Sequence, residues 1–139
     1  MNDLAEAIRT HWSGDSTLTN LLPVDRLATG TYRSVDPVRP FVTLAFPGAD
    51  PGDRANDGST IQTVTARLTI TTGDSADDYT TASQLAAAIR DRFESAGFEL
   101  PDDAGSVLDV RVLFGDETQA AESGEWTINL DLRCKVFRP

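Results

Sequence analysis

Three kinds of side chain in this 139-residue sequence have the types that do chemistry elsewhere: one histidine, one cysteine, and carboxylates gathered in a loop and in adjacent pairs. With His11 alone, metal sites built from several imidazoles are excluded, and any Ser-His-Asp or Cys-His arrangement depends on that one residue. It lies beside Trp12 in a helical stretch, and no nucleophile occupies a recognisable strand-to-helix elbow, so it reads as a solvated or packing histidine. Cys134 is the only cysteine, which excludes an intrachain disulfide and a cysteine-based zinc cluster. Between Leu132 and Val136 it falls on the apolar side of a strand, where a free thiol packs as a small hydrophobe. A reactive thiolate needs a cation or a helix N-terminus close by, and Lys135 lies on the opposite face.

Oxygen ligands cluster at Asp50, Asp53, Asn56 and Asp57, ahead of Gly58, but their spacing does not match the calcium loop D-x-[DN]-x-[DN]-G with its later glutamate. The pairs Asp77-Asp78, Asp102-Asp103 and Asp116-Glu117 stand in loops or at a helix start, where carboxylates solvate the surface and complement the helix dipole. The threonines of TARLTITT reflect β-propensity on a solvated strand face. Neither a GxGxxG turn nor a phosphate-binding loop is present. The expectation is therefore a non-enzyme with no catalytic residue, no cofactor and no metal.

The elements that carry these residues follow from hydrophobic periodicity. Leu4, Ile8 and Trp12 recur every four residues with Ala5 and Ala7 beside them, predicting a helix from Asp3 to Trp12. After Ser13-Gly14-Asp15, a short turn capped by Ser16 or Thr17 carries Leu18, Leu21 and Leu22. Val24 to Tyr32 predicts a short or edge strand, and Phe41 to Phe46, between Pro40 and Pro47, a compact apolar strand. Residues 47 to 59 are turn formers and charge without apolar periodicity, and predict a long exposed loop. Ile61 to Thr72 alternates as a half-buried strand with Val64, Ala66, Leu68 and Ile70 inward. Ser75 with Asp78 opens a second helix whose stripe is Tyr79, Ala82, Leu85, Ala86, Ile89 and Phe93, with Gly97 as its C-terminal cap. Two further strands put Leu108, Val110, Val112 and Phe114, then Trp126, Ile128, Leu130, Leu132, Cys134 and Val136, on one face. The expected fold is one α+β domain over residues 1–139: a mainly antiparallel sheet of four to five strands with two helices packed on one face.

Composition bounds the partners. A net charge of −10, from 22 acidic against 12 basic residues, repels phosphate backbones and disfavours nucleic-acid binding. One lysine, many aspartates and abundant threonine are the balance of proteins from salt-rich cytoplasms or high-GC genomes; at molar salt the screening length falls to about 3 Å. The acidic start at Met1 argues against a signal peptide, and no segment approaches the roughly 18 consecutive apolar residues of a membrane span, so a soluble protein without membrane contact is expected. With chemistry excluded, the features left are interaction surfaces. These are the 47–59 loop, with Asp50, Asp53, Arg54, Asn56 and Asp57, and the end of a twelve-residue last strand, with Phe137 and Arg138.

The succession of a short helix with a leucine-rich end (LAEAIRTHW, STLTNLL), a proline-led apolar strand (RPFVTLAF), a polar loop, a threonine-rich strand (TVTARLTITT), an amphipathic helix (DDYTTASQLAAAIRDRF) and a closing strand pair (VLDVRVLFG, EWTINLDLRCKVF) resembles the tail-terminator and tail-completion proteins of long-tailed phages and related viruses. The likeness spans nearly the whole chain and is one of architecture rather than of a diagnostic motif. It implies a structural virion protein, assembled in the host cytoplasm, that caps the head-proximal end of the tail tube as a homo-oligomeric ring, a hexamer in the family. The implied partners are other copies of itself, the tail tube protein, the neck or connector protein, and viral DNA passing through an acidic lumen without specific binding. Another neck or head-completion component, and a non-viral acidic interaction domain, are the alternatives.

Overall fold

A computed structural model describes residues 2–30, 38–49 and 52–139. The first helix, α1 (Asn2–Ser13), buries Leu4, Ala5, Ala7, Ile8 and Trp12, the stripe its four-residue spacing dictates. A second helix, α2 (Ser16–Leu21), follows directly. Its cap is Asp15 rather than the expected Ser16 or Thr17. Asp15 has an extended backbone, which swings its carboxylate over the free amides of Thr17 (2.9 Å) and Leu18 (3.3 Å), while Ser16 and Thr17 are already helical. Leu18 and Leu22 are buried, and the Trp12 indole N–H donates to the Leu22 carbonyl at 3.0 Å, locking α2 against α1.

A 3₁₀ turn (Val24–Arg26) leads into β1 (Leu27–Thr29), followed by β2 (Phe41–Ala49), β3 (Asp53–Arg54), β4 (Thr60–Thr71), α3 (Ala76–Phe93), β5 (Phe98–Glu99), a 3₁₀ turn (Pro101–Asp103), β6 (Ser106–Gln119) and β7 (Trp126–Arg138). The strands form one mixed sheet in the order β1-β2-β4-β7-β6-β5, with β3 paired to the start of β4. The α+β class holds, but the described residues carry three α-helices and seven strands instead of two and four to five. The sheet is mixed because β1 runs parallel to β2. The expected edge strand at 24–32 reduces to β1, and Tyr32 lies outside the described residues.

The expected long loop at 47–59 is in good part strand. β2 continues through Pro47 to Ala49, with its register shifting between Ala45 and Gly48, so the proline, which has no N–H to give, falls where the ladder is already interrupted. β3 then folds back on β4, pairing Asp53 with Ile61 and Arg54 with Thr60. Gly52 has φ +81, and a Cβ there would meet the Ile61 carbonyl at 2.8 Å, so this return requires glycine.

The core lies between the sheet and the helices. Val42 and Leu44, Val64 to Ile70, Ile128 to Val136 and the inward residues of β6 face Ala82, Leu85, Ala86, Ile89 and Phe93 of α3. β4 and β7 pair without interruption from Thr60↔Arg138 to Thr71↔Thr127. In β6 the expected alternation fails at both ends. Its register slips between Val107 and Asp109, which buries Val107 and leaves Leu108 48% exposed. Phe114 pairs with Leu130 on the core side, yet is 50% exposed with the Arg90 guanidinium 5.6 Å over its ring. Tyr79, expected in the buried stripe of α3, is only half-buried, its ring 4.7 Å from that of Trp126.

The Ser75–Asp78 capping box forms as expected, with each side chain bonding the other's backbone N–H at 3.1 Å. Gly97, however, is not the C-terminal cap. Ser95 takes the left-handed conformation (φ 61), held by its N–H on the Val110 carbonyl (2.8 Å), while the Glu94 carboxylate accepts the Val112 N–H (2.7 Å). The outer edge of β6 thus supplies the partners that a glycine cap supplies elsewhere. Helix α1 reaches both sheet edges: Arg9 donates to the Leu27 carbonyl (3.2 and 3.3 Å) and to Thr29 on β1, while His11 stacks on Phe98 of β5.

Candidate interaction surface

The residues with chemical potential are engaged in holding the fold. The His11 Nε2–H donates to the Arg92 carbonyl (3.1 Å), and the Arg92 side chain donates back to the His11 carbonyl (2.9 Å). That reciprocal pair ties α1 to α3. The imidazole lies 4.6 Å from the Phe98 ring and edge-on to Phe93, and burial lowers its pKa by disfavouring the charged ring. Burial likewise pushes the Cys134 thiol up to about 12, leaving it protonated and inert at neutral pH. Asp78 belongs to the capping box, Glu117 accepts the Tyr79 hydroxyl at 3.0 Å, and Asp102 and Asp103 occupy left-handed positions that aspartate tolerates. Among the described residues no group of three or more histidine, cysteine or acidic side chains is placed to hold a metal ion. No helix among them is long and apolar enough to cross a membrane.

The residues expected to contact partners fall into two groups. Asp53, Arg54 and Asn56 are exposed on the arm made by β3 and the turn after it, whereas Asp50 lies outside the described residues. Asp57 organises that turn: its Oδ1 accepts the Ser59 hydroxyl (2.7 Å) and the Ser59 amide (3.0 Å), and the hydroxyl bond is the main reason its carboxyl sits below the ordinary range. Phe137 is half-buried on β7 opposite Ile61, which in turn is opposite Asp53, so β3, β4 and β7 bring the arm and the last strand together. Arg138 is turned to the other side, where its guanidinium binds the Asp3 carboxylate at 2.6 and 3.2 Å and joins the start of α1 to the end of β7.

A third surface went unnoticed in the sequence: the solvent face of the sheet. Arg67 and Asp131 form a two-pronged ion pair there (2.8 and 3.2 Å), and Thr69 donates to Asn129 (2.8 Å). Towards β6 the pairing of charges breaks down. Arg111 stands directly opposite Arg133, Lys135 is two residues further along β7 and opposite Asp109, and all three cations are exposed. Alternation within each strand was visible in the sequence, but only the β6–β7 register shows that the cations are neighbours.

The comparisons bear on the whole of this surface. The family model "Tail completion protein gp17" matches residues 6–136. The chain belongs to the tail completion family. A chain of the solved structure "Virion of native gene transfer agent (GTA) particle" has the same fold, with a TM-score of 0.70 over 95% of this chain and 92% of that one, at 18% identity. No curated protein matches significantly. As a tail completion protein the chain is a structural component of the virion, located in its tail or neck region. The matched range runs from within α1 to near the end of β7, so the arm and the open face are both part of the tail completion domain.

Proposed function

We propose that this tail completion protein assembles as a homo-oligomeric ring, a hexamer, that caps the head-proximal end of the tail tube and joins it to the neck. The observation that carries the reading is the family match over residues 6–136, which takes in nearly every element of the domain. The engagement of His11 and Cys134 in packing is in keeping with a role by assembly rather than by catalysis. The arm bearing Asp53, Arg54 and Asn56 is the contact to the tube or neck, since its side chains are exposed and none belongs to the core. A net charge of −10 suits a lumen through which DNA slides without adhering.

Negative-stain imaging and native mass measurement of the purified protein test the reading. Closed rings are expected, and a monomer at high concentration would overturn it. Replacing Asp53, Arg54 and Asn56 together by alanine should leave rings intact and abolish attachment of tails to heads in an assembly assay. Normal attachment by that variant would remove the arm from the contact.

A further inference from the structure

Two of the three cations on the open sheet face, Arg111 and Arg133, are placed against each other, while Lys135 stands opposite Asp109. Like charges directly opposite in an antiparallel pair are destabilising, yet Arg111 and Arg133 occupy such a pair, with Lys135 beside them. None of the three has an ion pair among the described residues, whereas Arg39, Arg67 and Arg138 are each matched to a carboxylate. Leu113, two residues beyond Arg111 and 40% exposed, adds an apolar contact at the same place. In a chain with 22 acidic residues, the facing Arg111 and Arg133 leave a local excess of positive charge on this face even with Asp109 opposite Lys135.

The opposite end of the same two strands carries the complementary charge. Where β6 and β7 turn at Ala120–Glu125, the hairpin packs on the start of α3: Trp126 N–H donates to the Gly73 carbonyl, Tyr79 donates to Glu117, and a Cβ on Gly124 would touch Asp74. Asp74, Glu117 and Glu122 are thereby gathered, all exposed, around one tip. Seven residues of β7 separate Arg133 from Trp126, about 23 Å at the rise of a strand. The cations therefore lie in the half of the strands away from the hairpin, and the acidic residues at the hairpin tip.

We infer that the Arg111–Arg133–Lys135 face is the docking site for the acidic hairpin tip of a second copy of this chain. Because the two surfaces are different and lie apart along the strands, they can meet head-to-tail, and a head-to-tail contact closes into a ring when its rotation allows. The inference rests on the ring proposed above and specifies its interface. Nucleic acid is the weaker occupant, because three cations flanked by Asp109 and Asp131 sit within a strongly negative overall field.

The test is a charge reversal followed by a charge swap in the full chain, read by analytical ultracentrifugation and native mass measurement. Arg111→Glu, Arg133→Glu and Lys135→Glu together should raise the concentration for half-assembly about tenfold or more. Adding Asp74→Lys, Glu117→Lys and Glu122→Lys to the same chain should restore assembly. The swapped chain keeps the original net charge, and circular dichroism confirms that each variant is folded. Assembly of the natural sequence should also weaken from about 50 mM to about 500 mM salt. Rings that survive the reversal unchanged would overturn this interface and leave the ring standing, whereas a natural sequence that never assembles would overturn both. Failure of the swap to rescue would overturn the pairing of these two surfaces. Binding of a duplex DNA fragment, lost on reversal while rings persist, would assign the patch to nucleic acid instead.

Discussion

Replacing Val107 and Leu108 one at a time by alanine separates two registers of β6 that a strict alternation of its residues cannot. Alternation counted back from Val110 places Leu108 inward and Val107 outward. In the structure the register slip between Val107 and Asp109 reverses them, leaving Val107 1% exposed opposite Val136 and Leu108 48% exposed. Val107→Ala removes two buried methyl groups, worth roughly 1.6 kcal/mol of transfer energy at about 0.8 each, and a cavity contribution brings the loss to about 2–2.5 kcal/mol. Leu108→Ala removes more carbon, but from a side chain that is half in water, and should cost about 1 kcal/mol or less. A regular strand would give the opposite order, with about 3–5 kcal/mol for leucine and little for valine. Urea unfolding followed by the fluorescence of Trp12 and Trp126 measures both, provided the slopes stay equal so that midpoints report stability. A larger loss for Leu108→Ala than for Val107→Ala would refute the bulge, and with it the placement of the β5–β6 corner.

Three further outcomes follow from titration and charge. Burial lowers the pKa of His11, so the fold favours the neutral ring: its contribution is present above the unfolded value of 6.5 and is lost as pH falls through the lower folded one. The melting temperature should therefore decline as pH drops from about 6.5 to about 5, a decline flattened in His11→Gln; an equal decline in that variant would exclude His11 as the cause. The Cys134 thiol, pushed up to about 12, should resist a thiol reagent at pH 8 in the folded protein and react once urea unfolds it, so prompt labelling of the native chain would contradict its burial. Molar salt should raise the melting temperature by screening repulsion within a chain of net charge −10, and an unchanged value would remove salt adaptation as the reason for the acidity.

How far the fold could be read from the sequence depended on whether local pattern or tertiary pairing decided each element. Leu4, Ile8 and Trp12 dictate α1, Ser75 with Asp78 opens α3, and the regular alternation from Val64 to Ile70 and from Ile128 to Val136 yields two strands with an unbroken mutual register. Where a distant partner settles the local conformation, pattern misleads. Ser95 ends α3 because the edge of β6 receives its N–H, and no residue near Gly97 signals this. The parallel β1 depends on β2, and β3 exists because Gly52 lets residues 53–54 reach β4. The candidate surface divides in the same way. Exposure of Asp53, Arg54 and Asn56 follows from their composition, whereas the engagement of Arg138 by Asp3, 135 positions earlier, and the adjacency of Arg111 and Arg133 are properties of register alone.

The way the sheet is finished limits where partners can bind. β7 is paired along both sides, by β4 from Thr60↔Arg138 to Thr71↔Thr127 and by β6 from Ser106↔Phe137 to Gln119↔Trp126, so the long last strand has no edge of its own to offer. Its inward face is filled by Ile128, Leu130, Leu132, Cys134 and Val136. Helix α1 is bonded to β1 through Arg9 and stacked on β5 through His11, so the only histidine is used in packing. The outer face of the sheet, the β3 arm and the hairpin tip are the surfaces on which the exposed charges of the strands lie. Those surfaces hold charge of both signs, so the head-to-tail contact inferred above would set the Arg111–Arg133 patch of one copy against the acidic tip of the next without opposing like charges.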